Sequence, residues 1–149
     1  MVKADQVKKL RDKTGASMME CKKVLVEAKG DEEKALKILQ KKGKVVAMKK
    51  SGRQAEQGII EAYIHSNKKM GVLFELKCET DFVARNEEFK ELAHEIAIHI
   101  AGMDSKDVKS LLKEPYVKNP DITVKDLIEE KIAKLGENIQ VGNFVRYEL

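Results

Sequence analysis

Val72-Leu73-Phe74-Glu75-Leu76-Lys77-Cys78 is the stretch that decides the fold class. Successive side chains of a strand point to opposite faces, so Val72, Phe74, Leu76 and Cys78 share one face while Leu73, Glu75 and Lys77 share the other. Upstream, Ile60, Ala62 and Ile64 alternate with Ile59, Glu61, Tyr63 and His65, and the polar run Ser66-Asn67-Lys68-Lys69 separates the two segments. Together they read as a β-hairpin whose apolar face needs a cover.

The cover follows directly. Asn86 is placed to cap a helix, with Glu87 and Glu88 in the first turn, where negative charge suits the helix dipole. Phe89, Leu92, Ala93, Ile96, Ala97 and Ile100 recur at helical spacing and form its apolar stripe. Beyond Gly102 the pattern predicts a short helix over 105–112, a loop holding Pro115 and Pro120, and an amphipathic helix with Val124, Leu127, Ile128 and Leu135. Ile139, Val141, Val145 and Tyr147 share one parity and Phe144 the other, which predicts a third strand with a bulge or kink near Gly142. A three-stranded sheet has two edges and a small covered face, so association with a second sheet, and hence a homodimer, is expected.

The amino-terminal third has a different period. Ala4, Val7 and Leu10 mark a short helix interrupted by Thr14-Gly15; Ser17 with Glu20 reads as a capping box for a second helix over 18–28. Asp31 can cap a third, whose stripe of Ala35, Leu36, Ile38 and Leu39 is expected to end before Gly43. The lysine-rich stretch from Lys41 to Lys50, continuing into Ser51-Gly52-Arg53, reads as a helical or flexible connection and as the domain boundary. The expected fold class is α+β, with an amino-terminal three-helix module at 1–45, a connecting segment at 46–56, and a core at 57–149 that carries a small three-stranded antiparallel sheet covered by helices.

Composition narrows the function. The 149 residues are 36% charged and 42% hydrophobic, with 29 basic and 25 acidic side chains interspersed. That balance fits a globular protein and not a disordered tail. The formal charge of +4 is too weak to indicate nucleic acid, and no apolar stretch approaches the roughly 20 residues that span a bilayer. The start of the chain has no signal-peptide block, so a cytoplasmic protein is expected. Cys21 and Cys78 are far apart and read as reduced structural thiols.

Catalytic chemistry finds little support. His94 and His99 fall on different faces of their helix, and His65 lies on the polar face of a strand, so neither a zinc site nor a general base is expected. There is no phosphate-binding glycine loop, no nucleophile elbow and no distinguished carboxylate pair. No cofactor, no metal and no enzymatic activity are expected.

Two apolar features are out of place instead. In the second helix Cys21, Val24, Leu25 and Ala28 form one arc with Met18 at its edge, while Met19 and Val26 point away. Met19 either makes a second contact inside a small module or lines a partner surface suited to an adaptable thioether. In Thr80-Asp81-Phe82-Val83-Ala84-Arg85 two bulky apolar residues occupy a strand-to-helix connection. Phe82 or Val83 either tucks beneath the next helix, as a hydrophobic staple does, or forms an apolar wedge on a rigid scaffold. Lys41, Lys42, Lys44, Lys49, Lys50 and Arg53 lack the interleaved aromatics of a single-strand RNA binder and read better as a solvated face.

These blocks also resemble a known family. The stretch Leu10-Arg11-Asp12-Lys13-Thr14-Gly15-Ala16-Ser17-Met18-Met19-Glu20-Cys21-Lys22-Lys23 is similar to the opening motif of elongation factor Ts. Gly30-Asp31 with Glu33-Lys34-Ala35, Gly58-Ile59-Ile60, Cys78-Glu79-Thr80-Asp81-Phe82-Val83-Ala84-Arg85-Asn86 and Gly136-Glu137-Asn138-Ile139 follow in the family's order and spacing, over nearly the whole chain. The resemblance is to a short form: the long helical insertion expected between Ile100-Ala101 and Glu114-Pro115 is almost absent. Lys44-Val45-Val46-Ala47-Met48 also replaces the usual alanine-rich wording.

The resemblance implies a non-enzymatic guanine nucleotide exchange factor of translation elongation, with the GTPase elongation factor Tu as partner. It implies that the first helices form a ubiquitin-associated-like module. Arg11, Met18 and Met19 match the family's amino-terminal contacts, Lys50 a basic contact after the module, and Thr80, Asp81, Phe82 and Val83 the segment that displaces magnesium from the partner. Neither direct nucleotide binding nor membrane binding is implied. Short members form sheet-mediated dimers, and with Val145 and no cysteine near the end, no covalent link between copies is implied. Two alternatives remain from the residues: an RNA-binding ribosomal accessory protein using Lys41 to Arg53, and a small hydrolase using Cys21 or Cys78.

Overall fold

The computed structural model describes all residues, Met1–Leu149. Three helices open the chain: α1 (Ala4–Thr14), α2 (Met18–Glu27) and α3 (Glu32–Lys50). Gly15 ends α1 in the left-handed conformation at φ 69°, donating its N–H to Arg11 O. Ser17 caps α2 by accepting the Glu20 N–H, but the Glu20 side chain makes no return bond, so only half of the expected capping box forms. Asp31 caps α3 through the Lys34 N–H.

The third helix does not stop at Gly43. It continues to Lys50 because lysine, alanine and methionine in this stretch are good helix formers, and because α3 packs against a later helix, with Ala47 buried in the main core. Ala35 belongs to a small amino-terminal cluster with Val7, Leu10, Cys21, Val24, Leu25 and Ala28, whereas Ala47 belongs to the main core. One helix thus has an end in each cluster.

The hairpin forms as β1 (Gln57–Ile64) and β2 (Met70–Cys78), and β5 (Ile139–Glu148) pairs with β2, giving the antiparallel order β1-β2-β5. The register slips between Phe74 and Leu76, which pair with Phe144 and Val141, so the expected irregularity near Gly142 is present. Val72, Phe74, Leu76 and Cys78 are buried beneath α5 (Glu87–Met103), whose stripe of Phe89, Leu92, Ala93, Ile96, Ala97 and Ile100 is buried in full. The opposite face of the sheet leaves Ile60, Ile64, Leu73, Val145 and Tyr147 exposed. Ile60 and Ile64 thus face outward, and Ile59 and Tyr63 pack against the core.

Between β2 and α5 lies the single turn α4 (Asp81–Ala84). After α5 come α6 (Val108–Lys113), β3 (Pro115–Tyr116), β4 (Asn119–Thr123) and α7 (Val124–Leu135). The proline-bearing loop is therefore a short two-stranded ribbon, where an edge position tolerates a residue without an N–H. Helix α6 starts later than expected: Asp107 caps it by accepting the Ser110 N–H at 2.7 Å, and the buried Ser105 hydroxyl before it donates to Glu114 Oε1 at 2.5 Å. His99 is fully buried; Nδ1 accepts the Val117 N–H at 3.1 Å, which leaves Nε2 to donate to Glu114 at 3.0 Å.

Candidate functional site

The connection from β2 to α5 is held from below. Thr80 caps α4 by accepting the Val83 N–H at 3.3 Å, and the same hydroxyl donates to Glu137 Oε2 at 2.6 Å. The other Glu137 oxygen accepts the backbone N–H groups of Glu79 and Thr80 at 3.1 and 2.9 Å. The Asn138 N–H donates to Glu79 Oε2 at 2.6 Å, and the Asn138 amide donates to Arg53 O at 2.8 Å. Burial, reinforced by the negative charge of Glu137, pushes the Cys78 thiol up to about 11.

On this base Ala84 is buried and Val83 is half-buried against the main core, while Phe82 projects with 89% of its surface exposed. The two readings of this segment are thus divided between neighbours: Val83 tucks under and Phe82 stands out. Asp81 is exposed and ion-paired to Arg85 at 2.6 Å along the helix. The result is one aromatic ring on a one-turn helix, flanked by a carboxylate and fixed by hydrogen bonds to its own support. Leaving such a ring in water forgoes roughly 1.5–3 kcal/mol of burial, which a complementary pocket on a partner would recover.

A second apolar surface lies on the module. Met19 is 84% exposed and Met18 is half-exposed, so Met19 is not a second internal contact. Arg11 is exposed in the last turn of α1, just before the turn that leads into Met18. Lys50 is placed differently. Its Nζ donates to Gly136 O at 2.9 Å, capping the end of α7, so its charge is already engaged within the fold. The structure therefore groups Arg11, Met18 and Met19 on the module and Thr80 to Val83 on the core, with Lys50 at the joint between α3 and α7.

The basic stretch is similarly engaged. Lys44 pairs with Asp126 at 2.6 Å and Glu129 at 3.7 Å, Lys42 with Glu27 at 3.8 Å, and Arg53 with Glu79 at 3.6 Å. Both thiols are fully buried, out of reach of a substrate. Sequence reasoning did not assign roles to Glu137 and Asn138. Their signal was available in the Gly136-Glu137-Asn138 block, where a carboxylate directly after a helix-ending glycine is placed to accept free backbone donors.

The family model described as Elongation factor TS matches residues 79–149, which include the whole Thr80–Val83 segment and its Glu137 support. Along its full length the chain is 43% identical to elongation factor Ts of Carboxydothermus hydrogenoformans, covering 89% of that protein. It is 46% identical to elongation factor Ts of Coprothermobacter proteolyticus and 40% to that of Fervidobacterium nodosum, in each case over 99% of the chain and 98% of the relative. These alignments run over 193 or 194 positions against a chain of 149 residues, so the relatives carry sequence that this chain lacks.

Proposed function

This chain belongs to the elongation factor Ts family of translation elongation factors, and we propose that it binds elongation factor Tu·GDP and promotes release of the nucleotide. The observation that carries this reading is the exposed ring of Phe82 on its braced one-turn helix. Phe82 enters an apolar crevice of the GTPase and Asp81 makes a polar contact beside it. Thr80 and Val83 hold the turn. Arg11, Met18 and Met19 anchor the other side of the interface, and Lys50, at the joint between α3 and α7, adds a basic contact.

A GTPase holds GDP largely through its phosphates and the magnesium that bridges them. A conformation in which those ligands are misaligned weakens the site electrostatically, and a wedge that binds that conformation selectively raises its population. No covalent bond forms, no cofactor is needed, and the factor does not touch the nucleotide. The coupling is reciprocal: the factor lowers GDP affinity by the factor by which GDP lowers its own binding.

The same reading divides the chain into an amino-terminal module at 1–45, a connection at 46–56 and a core at 57–149 that also forms a homodimer. The outward-facing Ile60, Ile64, Leu73, Val145 and Tyr147 support that pairing of sheets. The protein works in the cytoplasm, where translation takes place; no helix is long and apolar enough to cross a membrane. The internal pairing of Lys42, Lys44 and Arg53 leaves RNA binding by this stretch the weaker reading.

Stopped-flow release of a fluorescent GDP analogue from elongation factor Tu tests the proposal. The protein accelerates release, and Phe82→Ala, unchanged in fold, loses about 30-fold of its effect, as expected for a buried aromatic anchor. No acceleration of release from a cognate GTPase would overturn the exchange reading.

A further inference from the structure

The two groups of partner-facing residues stand on units that meet across a cleft of about 690 Å³, lined by Gly15 and Ser17 of the α1–α2 turn, Gly43 of α3, and Glu130, Ala133 and Lys134 of α7. Rotation of the module about α3 would widen or narrow this cleft and so change the spacing between Met18 and Met19 on one side and Phe82 on the other. A binder that engages one partner at two places benefits when that spacing is fixed beforehand, because less freedom is lost on association.

Lys134 reaches across at the relevant point. Its ammonium pairs with Glu88 Oε1 at 2.6 Å in the first turn of α5, the helix that directly follows the Phe82 turn. Glu88 Oε2 is buried without a hydrogen-bond partner, which leaves Lys134 as the cation that compensates this carboxylate. The end of the same lysine lies against Gly15, where a β-carbon would overlap Nζ and sit 2.9 Å from Cε. Gly15 is left-handed at φ 69°, the conformation that keeps it a glycine, while a β-carbon there would displace the end of Lys134. A single side chain from α7 thus touches the turn that leads into Met18 and the helix that leads out of Phe82.

We propose that Lys134 is a positioning residue for partner binding: the Glu88–Lys134 pair seated on Gly15 latches the helical module to the core and sets the distance between its two partner-facing surfaces. The inference rests on the exchange reading above. Lys44 with Asp126, and Lys50 with Gly136 O, secure α3 to α7 and α7's end. Lys134 adds a contact at the α1–α2 turn, in addition to these.

The experiment uses the full chain, with probes at Lys22→Cys and Glu91→Cys, both exposed positions, the native thiols being buried. Paired spin labels report one narrow distance in the otherwise wild-type protein and a broadened or shifted one in Lys134→Met. In GDP release from elongation factor Tu, without labels, Lys134→Met raises the half-saturating concentration about 10-fold and leaves the maximal release rate within about 2-fold, since the wedge is intact. Glu88→Gln moves both readouts the same way, and the double variant loses little more than Lys134→Met alone. An unchanged distance in Lys134→Met, or fully additive losses in the double variant, would overturn the latch. If the unsubstituted protein fails to accelerate GDP release, the exchange reading falls, and the label distances alone decide whether the latch holds.

Discussion

The chain carries one thiol in each of two apolar clusters, Cys21 among seven buried residues of the helical module and Cys78 among eighteen of the sheet-and-helix core. Both side chains are fully buried, yet their surroundings differ in kind. Cys78 lies between a sheet and the long helix α5. Cys21 lies in a three-helix unit whose third helix is shared with the core. A small cluster encloses less apolar surface for each residue ordered, so it opens more readily. On the exchange reading proposed above, Met18 and Met19 would sit on the unit expected to open more readily and Phe82 on the one expected to open less.

Phe89→Ala, at a fully buried position of α5, is expected to cost about 3–5 kcal/mol and to melt both regions, read by denaturant unfolding followed by circular dichroism. Leu25→Ala should cost about 2–5 kcal/mol within the module and unfold it while the sheet stays folded. Hydrogen exchange would show protection lost in α1 and α2 and kept in β2 and α5. Uniform loss across the chain would mean that α3 welds the two regions into one cooperative unit.

The thiols sharpen the contrast without substitution. With its thiol held protonated to about 11, Cys78 contributes stability below the pKa of an unfolded cysteine near 8.5, and that contribution is lost as pH rises toward 11. Under native conditions at pH 8, alkylation followed by mass spectrometry should modify Cys21 well before Cys78. Equal rates would mean that both open together.

The smallest effect concerns the joint. Burial raises Asp126, but hydrogen bonds from Lys44 and the Thr123 backbone outweigh it and hold the carboxyl below the ordinary range. Its folded pKa is depressed, so its contribution is present above about pH 3.9 and lost as pH falls through the lower folded value. Asp126→Asn should therefore cost at most about 1 kcal/mol at pH 7, and the gap from wild type should close on acidification below about pH 4. A gap that persists at pH 2 would assign the effect to packing.

Much of this was legible in the residues themselves. The alternation in β2, the stripe of α5, the caps at Asp31 and Asn86, and the break in parity near Gly142 were written in local pattern, because period and capping depend on near neighbours. The continuation of α3 past Gly43 was not, since Ala47 is buried only by core residues from far along the chain. The same holds for the ribbon at Pro115–Thr123, which local signals assign to a loop.

For the candidate site, the residues alone show that Met19 and the Phe82–Val83 pair are apolar where helical or connecting geometry offers no obvious cover. They also determine the family, because several separated motifs recur in order. Long-range packing decides that Val83 is covered while Phe82 and Met19 are not, that Lys50 donates to the end of α7, that Glu137 holds the Thr80 turn, and that Lys134 touches both Glu88 and Gly15. The physical reason is that exposure and ion pairing depend on which distant segments arrive nearby, whereas amphipathic period depends on the geometry of a single element.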